Sequence, residues 1–272
     1  MGLLDEIVAV KHEEVAARRT ERPLADLRAA CRGLGPAGDL VAALRPAPGR
    51  PVALVAEVKR ASPSRGVMRA DLDPATQARR YVEAGAAAVS VLTDARYFHG
   101  HLDDLTAVRR AVTAPVLRKE FIVDEYQLWE SRAAGADAVL LIVAALAEGA
   151  LKDLFHAALG LGLGALVEVH TREELDRAVR LGAPLVGVNN RDLQTLETSL
   201  EPSLLLLPLV PPGVVAVSES GLATRADVAR VVAAGAHAIL VGETLVRAPD
   251  VVATVRELLL APPGPAASRG GG

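Results

Sequence analysis

The sequence predicts an α/β fold, a closed (β/α)8 barrel preceded by a helical extension. Eight short apolar runs rich in β-branched residues lie at 52–58, 87–92, 115–117, 138–143, 165–169, 185–188, 214–217 and 238–241. They are spaced 20–35 residues apart, the period of a strand followed by a helix and not of a hairpin. A nearly constant phrase precedes every second run: AGAAAVSVL (84–92), AGADAVLLI (134–142), LGAPLVGV (181–188) and AGAHAILVG (234–242). Its glycine suits the left-handed residue that ends a helix, and the small residue after it lets the chain turn into a strand. The runs show little polar alternation, as expected of parallel strands covered on both faces. An open, doubly wound sheet shares these last features, and the count of eight favours the barrel.

In chain order, residues 1–50 precede the first strand and exceed what a barrel needs. Leu3, Leu4, Ile7, Val8 and Val15 fall on one helical face, which predicts an added N-terminal helix, and a second short helix is expected over 23–31. The barrel is assigned to residues 51–261. Asp73-Pro74 offers an N-cap followed by proline at the first helical position. Thr171 and Glu174 read as a capping box, and Thr224 with Asp227 as a relative of one. Trp129, in EYQLWESRAAGA, is expected to pack its helix onto the barrel. The tail PPGPAASRGGG (262–272) is made of breakers and small residues and is expected to be disordered.

Composition excludes several classes of function. Hydrophobic residues make up 51% and charged ones 23%, with a formal net charge of -3, so no basic excess points to nucleic acid. The first residues mix charges into apolar positions and contain no signal-peptide core. The longest apolar run, 138–147, is too short to span a bilayer, so no membrane association is expected. Cys31 is the only cysteine, which forbids an intrachain disulfide and fits a reducing cytoplasm; it is expected as a small packing residue in a helix. GLGLG (160–164) precedes a strand instead of following one, the wrong order for a dinucleotide site. The six histidines lack the HExxH spacing, and no metal site is expected. His170 is expected on the solvent side of a helix start.

In a barrel of this kind the site is built at the C-terminal ends of the strands. Run one leads to Glu57 and Lys59, run two to Thr93, Asp94 and Phe98, run three to Lys119-Glu120-Phe121, and run five to Glu168. Run six leads to Asn189-Asn190-Arg191, run seven to Ser218-Glu219-Ser220-Gly221, and run eight to Gly242-Glu243. Residues two apart on a strand share a face, so Glu57 and Lys59 are expected to point into the mouth while Leu54, Ala56 and Val58 face the helices. A lone buried carboxylate is costly, so facing ions of opposite sign are the tolerable arrangement. A structural ion pair would explain Glu57 and Lys59 alone, but Lys119 and Glu168 bring more charge than one plug requires. The glycines after runs seven and eight can turn backbone N–H groups into the mouth, the common phosphate site of this fold; ordinary strand-to-helix turns are the alternative.

AEVKRASPSRG, VLTDARYFHG, PVLRKEFIVDEYQ, LVEVHT, GVNNRDL, VSESG and LVGETLVR, together with the N-terminal LLDEIVAVKHEEV, resemble the successive signatures of indole-3-glycerol-phosphate synthases, in order, over about residues 3–249. The resemblance implies a TIM barrel with an N-terminal helical extension. It implies a decarboxylating carbon–carbon lyase of tryptophan biosynthesis, free of metal and organic cofactor. Such a lyase converts 1-(2-carboxyphenylamino)-1-deoxyribulose 5-phosphate to indole-3-glycerol phosphate, CO₂ and water. By the same resemblance Lys119 is the general acid on the carbonyl oxygen and Glu168 the acid/base partner in dehydration. Glu57 and Glu219 stabilise positive charge on the substrate nitrogen and orient the lysines; Lys59 touches the anionic groups, and the resemblance leaves open how it divides the proton transfers with Lys119. Asn189 and Arg191 hold the benzoate side, where a planar guanidinium suits a carboxylate. Ser62, Ser220, Gly221, Gly242 and Glu243 surround the phosphate, and Phe98 and Phe121 wall the aromatic ring. Glu120, where aspartate is commoner, is expected to face outward. The expected form is a monomer or weak homodimer whose partner is a small phosphorylated molecule; contact with neighbouring pathway enzymes stays open. Two other readings keep the barrel: a Schiff-base aldolase using Lys119 or Lys59, and a catalytically silent scaffold.

Overall fold

In the computed structural model, which describes residues 2–260, the eight apolar runs become eight parallel strands. They are β1 (Ala53–Val58), β2 (Ala88–Leu92), β3 (Val116–Lys119), β4 (Ala138–Ile142), β5 (Gly164–Val169), β6 (Leu185–Asn189), β7 (Val215–Glu219) and β8 (Ala238–Val241). Each pairs with its sequence neighbours, and β1 closes the ring against β8 through Ala53–Ala238 and Ala56–Val241. The fold is therefore the (β/α)8 TIM barrel. β3, β6 and β7 run one or two residues past their apolar stretches, because Lys119, Asn189 and Glu219 continue the ladder while carrying polar groups. The tail expected at 262–272 lies outside the described residues.

Strand alternation separates two cores. Leu54, Ala56 and Val58 pack outward with helix residues such as Tyr81, Leu105 and Leu128. Ala53 and Val55 turn inward with Leu117, Leu140, Leu166, Val217 and Leu240. Each fully buried leucine contributes roughly 1.5–3 kcal/mol. Helix starts follow the sequence signals: Asp73 Oδ1 accepts from the Thr76 amide at 2.7 Å, and Thr224 with Asp227 forms a reciprocal box. The box at Thr171 is shifted, since Glu174 reaches back to the His170 amide at 2.7 Å.

The extension forms α1 (Leu3–Glu21), α2 (Leu24–Cys31) and α3 (Leu40–Leu44). Leu40 and Leu44 of α3, which the sequence reading did not resolve, join the inner core; Gly38 donates to Asp137, just before β4. That segment lies at the N-terminal ends of the strands. α1 lies at the opposite end, where its buried Lys11 meets Asp94 after β2 and Glu120 after β3. Trp129 packs not on the barrel but on the extension, with Val15, Leu27 and Tyr126, under the Arg28 guanidinium. Cys31, half-buried at the end of α2, places its thiol 3.7 Å from the Trp129 carbonyl. Among the described residues no helix is long and apolar enough to cross a membrane.

Candidate active site

All fourteen residues to which the resemblance gives a role line one cavity of about 710 Å³ at the C-terminal mouth, while Thr93, Asp94, Asn190 and Ser218 do not line it. Its floor is ionic. Lys119 Nζ lies 2.8 Å from Glu168 Oε2 and 3.5 Å from Glu219 Oε2, and Lys59 Nζ lies 2.7 Å from Glu57 Oε1. The Asn189 amide donates to Glu168 Oε1 at 3.1 Å and fixes the face that the carboxylate presents to Lys119. Neighbouring register explains the grouping: Asn189 sits beside Glu219, and Glu168 beside Gly187 and Ile142. Both glycines at this level make room for carboxylates. A Cβ on Gly187 would overlap Glu219 Oε1, and one on Gly242 would overlap Glu57 Oε1.

These neighbours pull the proton affinities apart. Burial alone would lower the Lys119 pKa, but Glu168, Glu219 and Glu57 outweigh it and hold the amine firmly protonated. Burial would raise Glu168, yet Lys119, His170 and the Asn189 amide reverse this and keep it an ionised carboxylate. Glu219 goes the other way. Burial dominates, Lys119 opposes it, Glu168 and Glu57 reinforce it, and the carboxyl is pushed up to about 8. Among the described residues neither of its oxygens accepts a hydrogen bond. Two carboxyls flanking one lysine are thus a base and an acid at neutral pH.

His170 departs from its expected solvent-side position. Its Nε2 lies 3.5 Å from Glu168 and its Nδ1 3.3 Å from Glu174; burial lowers its pKa, but these carboxylates raise it overall. Glu120 also departs from expectation: it is buried, accepting from Thr93 Oγ1 at 2.8 Å and from the Phe121 amide at 2.9 Å. The cations Lys11 and Arg118 hold its charge in a buried polar cluster, and Arg118 is held in turn by Gln127, Glu130 and Ser131 of the following helix.

Loops one, six, seven and eight form the polar rim. Ser220 and Gly221 both take positive φ, at 66° and 74°, a conformation strained for serine. Two such residues in succession make a sharp turn of the chain at the mouth after β7. A Cβ on Gly221 would stand 2.8 Å from Thr198 Cγ2. Ser62 and Ser64 oxygens lie 3.4 Å apart in loop one. Arg191 donates to Ser64 Oγ at 2.8 Å and lies 3.8 Å from Glu243, while Arg65 reaches the same carboxylate at 2.9 Å. Arg191 therefore leans toward the rim shared by loops one and eight.

The remaining wall is apolar. The rings of Phe98 and Phe121 lie 6.2 Å apart, and Leu4, Ile7 and Leu193 line the cavity with them. The sequence reading missed these three as site residues, along with Arg65 and Gly187. The apolar stripe of α1 announced burial, but nothing local said that it would bury against the mouth.

Comparison with known proteins adds a second line of observation. The family model described as "Indole-3-glycerol phosphate synthase" matches residues 4–258. The chain is 49% identical over 258 residues to the indole-3-glycerol phosphate synthase of Albidiferax ferrireducens, covering 94% of this chain and 97% of that one. It is 49% identical over 268 residues to that of Kineococcus radiotolerans, covering 98% of each, and 51% identical over 247 residues to that of Chromobacterium violaceum, covering 90% and 93%. Among solved structures it is similar to a 3-hexulose-6-phosphate synthase (TM-score 0.61, 20% identity, 77% of this chain and 99% of that one). It is also similar to the thiamine phosphate pyrophosphorylase of Pyrococcus furiosus (TM-score 0.59, 18% identity, 77% and 94%), and at such identities the likeness speaks for the barrel alone.

Proposed function

Because the chain belongs to the indole-3-glycerol phosphate synthase family, decarboxylating lyases of tryptophan biosynthesis, we propose a division of labour among its site residues for that reaction. Lys119, held protonated, donates to the substrate carbonyl oxygen as the aromatic carbon attacks the carbonyl carbon. The new carbon–carbon bond costs the ring its aromaticity, and loss of CO₂ restores it. The hydroxyl left at the former carbonyl then departs as water, which needs one proton delivered and another removed.

Glu168, ionised and fixed by Asn189, is the base of that dehydration and returns a proton to Lys119 across 2.8 Å. Glu219, neutral below about 8, is its acid. This differs from the charge-stabilising role carried over by resemblance, because a neutral carboxyl does not stabilise a cation well; that task falls to Glu57, with Lys59 beside it. The Ser220–Gly221 turn, Ser62, Gly242 and the Glu243 amide take the phosphate. Phe98 and Phe121 take the ring, and Asn189 and Arg191 its carboxylate.

The observation that supports this reading most directly is one lysine set between an ionised and a neutral carboxyl. The same feature weighs against a Schiff-base aldolase, which needs a neutral amine. The expected form stays a monomer or weak homodimer. A single half-buried cysteine supports a cytoplasmic setting.

The test is Lys119→Met. Turnover, read by indole fluorescence, should fall ~10²-fold or more while inorganic phosphate still binds. Near-normal turnover in the folded variant would exclude Lys119 as the acid.

A further inference from the structure

Lys11 is fully buried although it carries a charge, and it does not touch the reacting groups. Its ammonium lies 2.7 Å from Asp94 Oδ2, 3.1 Å from Glu120 Oε1 and 2.8 Å from Glu14 Oε2. The first two carboxylates have second tasks. Asp94 Oδ1 accepts from the Tyr97 amide at 2.6 Å and so caps the single turn Ala95–Phe98. Glu120 Oε1 accepts from the Phe121 amide at 2.9 Å, and its Oε2 from Thr93 Oγ1 at 2.8 Å. Phe121 thus hangs from one carboxylate and the turn that carries Phe98 from the other, and the one cation that joins the two carboxylates comes from α1. Ile7, one helical turn earlier, lines the cavity itself, and Glu6 accepts from the Tyr97 hydroxyl at 3.1 Å.

An ion pair is an expensive way to dock a helix. Two buried carboxylates without their cation would each cost several kcal/mol, and apolar packing of similar volume is often as stable. What the ions add here is direction. They fix two loop segments from different strands to one point on a third element, as packing of flexible apolar chains does less sharply. We propose that Lys11 is a positioning residue that sets the spacing of Phe98 and Phe121, and thereby the affinity for the aromatic half of the substrate, without touching it. This rests on the reading that those two rings flank the benzoate.

Lys11→Met alone leaves the buried Asp94 without a cation and Glu120 with Arg118 only, and can unfold the chain. The informative variant is therefore Lys11→Met/Asp94→Asn, which removes one charge of each sign and leaves Glu120 with Arg118; Lys11→Arg keeps the cation. The probes are 2-aminobenzoate for the ring half and inorganic phosphate for the other half, titrated into folded protein, with steady-state kinetics alongside. In the double variant 2-aminobenzoate should bind about tenfold more weakly and KM should rise by a similar factor. Phosphate affinity and kcat at saturation should stay within about threefold, and Lys11→Arg should recover most of the loss. Equal weakening of both probes would mean a general loss of structure, and unchanged 2-aminobenzoate affinity would mean no positioning; either overturns the proposal. Phe121→Ala in the parent separates the premise: if it leaves 2-aminobenzoate binding intact, the ring reading itself has failed, and the role of Lys11 with it.

Discussion

Replacing Glu219 with glutamine removes a titrating group while keeping its shape and its ability to donate a hydrogen bond. In the parent, burial raises the carboxyl, Lys119 opposes, and Glu168 and Glu57 add to the rise, from 4.5 to about 8. A group whose proton is held more tightly in the folded state stabilises fully below its unfolded pKa, and that stability is lost as pH rises through the folded value. The window therefore opens near 4.5 and closes near 8. Within it the parent loses at most ~1.4 kcal/mol per pH unit through this group. Glutamine has no such slope, so the stability of E219Q relative to the parent should grow across the window and level off above it. Equilibrium urea unfolding of both proteins between about pH 5 and about pH 9 measures that difference, and taking the difference cancels groups that titrate alike in the two. The infrared band of a neutral carboxyl, present in the parent at neutral pH and missing from the variant, reports the same proton directly. A flat stability difference without that band would mean that Glu219 is ionised in the free protein, and the acid assigned to it would have to be sought elsewhere.

Gly187→Ala should damage the site from behind: its Cβ would overlap Glu219 Oε1 and stand 3.2 Å from Leu166 Cδ1. The expected cost is ~1–3 kcal/mol of stability, with turnover lower by about tenfold or more, read by thermal unfolding and kinetics; a variant as active as the parent would show that Glu219 need not hold its position. Gly221→Asp places a Cβ 2.8 Å from Thr198 Cγ2 at a φ of 74° and brings a negative charge to the turn. Inhibition by inorganic phosphate should weaken about tenfold or more, and unchanged inhibition would place the anion elsewhere.

What could be read from the chain, and what could not, divides by the range of the determining contacts. Glu57 and Lys59 announce themselves because a strand alternates every two residues, and the inward face of β1 follows from counting. Seven of the eight strand ends were legible for the same reason, since charge that interrupts a buried strand has few places to go. Gly187 was not, because its meaning lies in Glu219, thirty-two residues later and on the next strand. Lys11 was not, because a lysine inside an otherwise charged helix looks like part of the wet face; only Asp94 and Glu120, brought in by two different strands, make it a buried one. Trp129 was misplaced because the helix that carries it has two apolar contacts, the barrel and the extension, and sequence does not rank them.

The charges also explain why the reacting groups sit where they do. With Glu219 neutral, the floor sets two lysines against Glu57 and Glu168 and is close to balanced in formal charge. A substrate bearing a benzoate and a phosphate brings roughly three negative charges, which such a floor does not attract. The attraction has to come from the rim. There Arg65, Arg191 and Arg247 gather around the single carboxylate of Glu243, at 2.9, 3.8 and 3.9 Å, leaving a surplus of positive charge. Glu243 is thus no obstacle to anion binding, since it preassembles the three guanidinium groups before any ligand arrives. Separating the two zones protects the chemistry. Were Lys119 the main partner of the phosphate, the field of the dianion would hold its proton more tightly when it is needed on the carbonyl oxygen. With the anions met at the rim, Lys119 answers chiefly to Glu168 and Glu219, and in the proposed division of labour Glu168 gives back the proton that Lys119 donates.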